Sequence, residues 1–287
     1  MSSPAFRRVA VLSLVWSLFV IIWGAYVRAS GSGAGCGDHW PNCNGELIPR
    51  SPTAQTVIEF THRTTSGVAL LLSIAVCVMA VRAFTKGHPT RRFAIAQLVL
   101  MLTEAALGAL LVKAELVANN ATASRAAAMS IHLINTFLLV AAMVLTVFHA
   151  WEGDVRAKWR GLAGGLSWLA MSLVMLVGVS GAIAALGDTL VQQSVNNPFV
   201  DLLIRLRILH PLIAVVAAAV MVFLGRFTFG ATRGWTIALW SLVVLQLFAG
   251  LTNVALQAPT WMQLVHLGLA DAVWVVLLVA TRKWATA

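Results

Sequence analysis

The sequence predicts an all-α polytopic membrane protein, with eight transmembrane helices arranged as two parallel-repeat four-helix bundles. Three observations predict it. Of 287 residues, 60% are hydrophobic and only 10% charged, against about 25% charged in a soluble domain, and the mean hydropathy is +0.87. Eight windows approach the roughly 20 apolar residues that cross a bilayer: 9–29, 56–81, 93–112, 127–150, 162–186, 204–225, 235–256 and 261–281. The last four windows also resemble the first four.

The first window follows a basic start, "MSSPAFRRVAV". Its apolar run exceeds the roughly 7–15 residues of a signal-peptide core, and no clear A-x-A site follows, so it reads as a retained span. Between windows the loops are short, which makes consecutive helices antiparallel neighbours. Arg7, Arg8, Arg82, Lys86, Arg91, Arg92, Arg156, Lys158, Arg160, Arg226, Arg233, Arg282 and Lys283 gather on one set of loops. By the positive-inside rule both termini are expected in the cytoplasm, with the chain in the cell (inner) membrane. The net charge of +10 is then mostly this orientation signal. No basic patch with interleaved aromatics points to nucleic acid, and the lipid bilayer is the expected surrounding.

The repeat is read from matched segments. "HLINTFLLVAAMVL" from His132 matches "HLGLADAVWVVLLV" from His266. "TEAALGALL" matches "LQLFAGLTN", so Glu104 and Gln246 each stand four residues before a glycine, Gly108 and Gly250. "EFTH" matches "RILH", and "GAYVRASGS" matches "GAIAALGDT" more weakly. An even number of spans separates the copies, so the repeat is parallel. It divides the chain into halves at 1–150 and 151–287.

Of seven histidines, His39, His88 and His149 fall in or beside loops and read as solvated. His62, His132, His210 and His266 fall one to a window, a turn or two inside the outer surface. A lone membrane histidine usually makes an interhelical hydrogen bond. Four at one depth, paired by a repeat, suit two octahedral irons, each within a planar macrocycle and between two imidazoles. His62 would pair with His132, and His210 with His266. Glu59 shares a helix face with His62 at i, i+3; the matching residue before His210 is the cation Arg207. That asymmetry points to a reactive N-terminal site and an electron-holding C-terminal one, with Arg207 placed to neutralise a propionate. An ion pair of Glu59 with Arg63 and snorkelling of Arg207 are the plainer alternatives. Glu104 and Asp271 stand open between proton carriers and buried hydrogen-bond partners.

The outer loop "GSGAGCGDHWPNCNGELIP" holds Cys36 and Cys43 on the oxidising side, where a disulfide is the natural state. A zinc site with His39 would lack an obvious fourth ligand, and a redox-active pair stays open. Cys77, mid-window, reads as packing.

This loop, followed by "EFTHR" and by His132, His210 and His266, resembles haem A synthase, a membrane enzyme serving haem-copper oxidase assembly, and the resemblance covers essentially the whole chain. It implies oxidation of a haem O methyl group to a formyl group, through successive hydroxylations to a geminal diol that loses water. His62 and His132 would hold the substrate haem O, with Glu59 assisting catalysis. His210 and His266 would ligate a haem B cofactor, and Cys36 and Cys43 would be the family's loop pair. Implied partners are a haem O synthase and an electron donor that the sequence does not identify; a homo-oligomer stays open. Some bacterial members carry a second cysteine pair between spans 5 and 6, which "GDTLVQQSVNNPFVD" lacks. The competing reading is a dihaem b-type electron carrier.

Overall fold

The computed structural model describes residues 3–192 and 197–287. Its helices are α1 (Pro4–Ala29), α2 (Ala54–Ala83), α3 (Pro89–Lys113), α4 (Ala123–Glu152), α5 (Gly161–Gln192), α6 (Pro198–Leu206), α7 (Leu209–Ala255) and α8 (Thr260–Thr286). Local chemistry sets several starts. The side chains of Ser3, Thr53, Thr122 and Asn197 accept from the backbone N–H of Phe6, Thr56, Arg125 and Phe199, satisfying amides that a helix start leaves unpaired. Proline opens α1, α3 and α6, where its missing N–H costs nothing.

Among the described residues seven helical stretches are long and apolar enough to cross a membrane, not the expected eight. The windows 204–225 and 235–256 belong to a single stretch, Pro198–Ala255, which contains α6 and α7. The intervening "FTFGATRGW" has no proline, so helical hydrogen bonding runs on with one non-helical residue, Thr232, at φ −139° and ψ 37°. α7 is bent back on itself there. A Cβ at Gly225 would lie 2.5 Å from the Trp240 indole, whereas 15 residues of straight helix would separate them by about 22 Å. Thr228, Thr232 and Thr236 line the inside of the bend, with the Thr232 hydroxyl donating to the Thr228 carbonyl at 2.9 Å. The expected loop before the sixth window is also partly helical. α6 turns Val200 and Leu203 onto Leu186 and Leu190 of α5, and its start is marked by Asn197–Pro198 with Asp201 in the first turn.

α1, α4, α5 and α8 meet at the middle of the bundle, and one apolar core runs from Leu14 through Phe137 and Val140 to Val174, Trp274 and Leu277. At its seam the Trp274 indole N–H donates to the Phe137 carbonyl at 3.0 Å, and the two rings meet edge to face at 5.3 Å. Gly178 of α5 leaves room for the Phe137 ring, which a Cβ there would overlap. Gly178→Ala is therefore expected to cost about 1–3 kcal/mol through overpacking. A lowered thermal midpoint in detergent checks it; an unchanged midpoint would mean that Phe137 swings aside freely.

The start of α1 and the ends of α4 and α8 share one end of the bundle. Arg7 Nε donates to the Ala150 carbonyl at 3.1 Å, and Lys283 pairs with Glu152 at 3.0 Å. His149, expected to be solvated, is buried here. Arg282 donates to its Nε2 at 2.8 Å, so Nδ1 carries the proton and donates to the Gly153 carbonyl at 2.9 Å. The opposite end carries the loop joining α1 to α2 and the four singled-out histidines.

Candidate functional site

Three of these histidines are each set by their helix and by a glycine notch in a neighbour. A Cβ on Gly24 of α1 would lie 2.9 Å from Cε1 of His62, and one on Gly181 of α5 would lie 2.8 Å from Cε1 of His210. Gly24 and Gly181 open "GAYVRASGS" and "GAIAALGDT", so the weakest sequence match marks the same device in both places. Gly250 of α7 does the same for His266 at 3.1 Å, while nothing lies within 4 Å of a Cβ on Gly108.

His210 and His266 face each other, with ring centres 6.2 Å apart and planes at 83°. Metal–imidazole bonds of about 2 Å on either side of one ion place two ring centres roughly this far apart. The Nδ1 of His210 lies 3.1 Å from the Val177 carbonyl and 3.2 Å from Ser180 Oγ. A carbonyl only accepts, so Nδ1 is the protonated nitrogen and Nε2 keeps its lone pair for a ligand. Gln246 sits 3.4 Å from Nε2 of His266. His62 and His132 lie close enough to interact electrostatically. The Nδ1 atoms of His62, His132 and His266 are buried without a hydrogen-bond partner.

Glu59 is fully engaged. Its Oε1 accepts from Arg63 Nε and Nη2 at 3.1 and 2.6 Å, and its Oε2 accepts from the backbone N–H of Cys36 at 2.8 Å. Arg63 Nη1 donates to the carbonyls of His39 and Asn42, at 2.5 and 2.7 Å. The ion pair with Arg63, the plainer alternative for Glu59, is thus present, and it ties the outer loop to the helix that bears His62. Cys36 and Cys43 form a disulfide and are almost fully buried. Cys77 is a free thiol.

Arg207 is paired with Asp188 at 3.1 Å. A cation bonded across three helices at this end is instead Arg28, which was not singled out from the sequence. Its Nη1 donates to the Ala185 carbonyl and Thr189 Oγ1 at 2.9 and 2.8 Å, and its Nη2 to Gln263 Oε1 at 3.1 Å, joining α1 to α5 and α8. Nothing in "YVRAS" distinguishes it from a boundary arginine. Asp271 has a buried Oδ2 without a partner.

Residues 7–278 match the family described as COX15-CtaA, cytochrome oxidase assembly protein. The chain belongs to this family. Two relatives from Thermus thermophilus strains, named "Protoheme IX farnesyltransferase", are each 45% identical over 96% of this chain. The chain spans 48% of their length. A Bacillus cereus protein named "Heme A synthase" is 37% identical over 103 residues, which is 36% of this chain and 33% of that protein. Family membership, the seven apolar helices and the loop disulfide together make this a multi-pass membrane member of the COX15-CtaA family.

Proposed function

We propose that this family member oxidises a methyl group of haem O to a formyl group, giving haem A for haem-copper oxidase assembly. The observation that supports the reading is four imidazoles at one end of the bundle, three of them seated against glycine notches and two, His210 and His266, with ring centres 6.2 Å apart. Two imidazoles per site, with no cluster of three or more His, Cys, Asp or Glu beside them among the described residues, fit an iron whose other positions a macrocycle fills. Buried ring nitrogens without protein partners agree with rings held for a ligand.

His62 and His132 would hold the substrate haem O in an N-terminal half, residues 1–150. His210 and His266 would hold haem B in a C-terminal half, residues 151–287, with electrons arriving from an external donor. Haem iron, when bound, supplies the redox chemistry that an unreactive methyl C–H requires. The chain's own residues bind and orient. Gly24 and Gly181 fix the ring positions, the Val177 carbonyl fixes the His210 tautomer, and the disulfide loop covers the Glu59 side of α2. Glu59 Oε2, held by the Cys36 N–H, is the carboxylate oxygen placed to accept a proton on that side. Arg207, already paired with Asp188, would act at most as a shared partner for a propionate.

The farnesyltransferase name belongs to chains about twice as long as the matched region. Attaching a farnesyl group to protohaem is the reaction that supplies haem O, so a haem O synthase is the partner this reading needs. Both termini would lie in the cytoplasm, with the chain in the cell (inner) membrane.

Co-expression with a haem O-producing enzyme, followed by chromatography of extracted haems, tests the reading. Haem A should accumulate with the wild-type chain. In the Glu59→Gln variant haem stays bound and haem A formation falls by about 10²-fold or more, the size of a lost proton-transfer group. Only haem B in every sample would favour the dihaem electron carrier instead.

A further inference from the structure

The two copies of the repeat differ at one pair of positions beside their last histidines. In the first copy a carboxylate, Glu104, stands next to His132; in the second an amide, Gln246, stands next to His266. Glu104 Oε1 is 3.6 Å from His132 Nδ1, just beyond hydrogen-bond distance, and no protein atom is bonded to that nitrogen.

Glu104 itself is braced. Asn135 Nδ2 donates to its Oε2 at 2.5 Å and to the Leu100 carbonyl at 2.9 Å. The Thr103 hydroxyl donates to Asn135 Oδ1 at 2.7 Å, so the amide is held at both ends and its orientation is set by a carbonyl that can only accept. The Thr136 hydroxyl sits on Oε1. Asn135 and Thr136 lie one turn beyond His132 on α4, so the helix that bears the imidazole also grips the carboxylate facing it. Three side chains spent on orienting one acidic group at the edge of an apolar bundle exceed what a boundary residue needs.

We infer that Glu104 is a positioning residue for His132: its Oε1 is the acceptor that keeps Nδ1 protonated, leaves Nε2 as the ligating atom, and makes this imidazole a stronger electron donor than its counterpart His266. A ligating histidine whose other N–H faces a carboxylate is more basic and more firmly oriented than one facing a neutral group. Here the two ligands of the C-terminal site lack a carboxylate partner. His210 donates to the Val177 carbonyl, and His266 has no hydrogen-bond partner at Nδ1, the neutral amide of Gln246 lying 3.4 Å from its Nε2 instead. The more basic ligand stabilises oxidised iron, so the N-terminal haem is held at a lower reduction potential than it would have with a second copy of the Gln246 arrangement.

The inference rests on haem binding at His132, and the test separates the two. Glu104→Gln and Gln246→Glu are purified with their haem, the haem is quantified as the pyridine haemochrome, and the reduction of each site is titrated optically. Glu104→Gln should keep its haem and shift the oxidised-to-reduced ratio of one haem about tenfold toward reduced at fixed potential, an upward move of about 59 mV for one electron. Gln246→Glu, whose carboxylate would face Nε2 and not Nδ1 of His266, should leave the first haem's potential unchanged, and Glu104→Ala takes the place of Glu104→Gln if that variant does not accumulate. Glu104→Asp should restore most of the wild-type potential. Wild-type protein without haem would overturn the functional reading. Bound haem whose titration moves in neither Glu104→Gln nor Glu104→Ala would overturn the role of Glu104 while leaving that reading intact.

Discussion

Replacing His210 with alanine is expected to remove the haem of the C-terminal site and leave the other, halving the haemochrome per protein. The expectation comes from the way the ring is held. Its Nδ1 is spent on the Val177 carbonyl, Gly181 lies against its Cε1 edge, and the remaining nitrogen faces the region between His210 and His266. Alanine supplies no ligand there. Gly181→Leu should reproduce the loss without touching the ligand, because even the first carbon of a side chain would lie 2.8 Å from the imidazole. Full haem content in His210→Ala would refute the C-terminal site, and full content in Gly181→Leu would show that the notch is not needed to seat the ring.

That pair of variants shows what could be read from the sequence and what could not. The histidines were legible because ionisable groups inside apolar windows are rare and their recurrence at one depth is improbable by chance. The loop disulfide was legible from two cysteines on one side of a membrane. The notches at Gly24 and Gly181 were written in the sequence as the "GA" that opens each matched segment, but a glycine in an apolar helix is ordinarily explained by close backbone packing. Only coordinates show that an imidazole fills the space.

The misread elements share a cause. Window counting assumes that a polar interruption ends a helix, and "GATRGW" was taken as such a break. It instead carries α7 through with a single non-helical residue at Thr232, where the helix bends back on itself. His149 was placed among solvated residues because it lies near a charged loop, yet its neighbours Phe93 and Arg282 enclose it. Arg28 was not singled out and the loop contacts of Arg63 were not foreseen, since these partners lie 157 and 24 residues away. Interactions of that range leave no periodic trace.

Arg63 yields the second large effect. Its guanidinium is shared between a carboxylate that is 3% exposed and two carbonyls of the disulfide loop, so it neutralises Glu59 and fastens the loop to α2. Arg63→Leu would strand the Glu59 charge in a buried position, a change that costs about 3–5 kcal/mol. Glu59→Gln is far milder. The amide oxygen can turn to accept from Arg63 or from the Cys36 N–H but not from both, Arg63 keeps both loop carbonyls, and the loss is about 1.5–3 kcal/mol. The order of the two thermal midpoints, read in detergent with the disulfide intact, therefore distinguishes a clamp built around Arg63 from one built around Glu59. The double variant Glu59→Leu with Arg63→Leu sharpens the point. It removes the stranded charge along with its partner, so it should recover part of the stability lost in Arg63→Leu alone. If the double variant is instead the least stable of the three, the damage comes from releasing the loop carbonyls of His39 and Asn42, and the ion pair is secondary to the loop contacts.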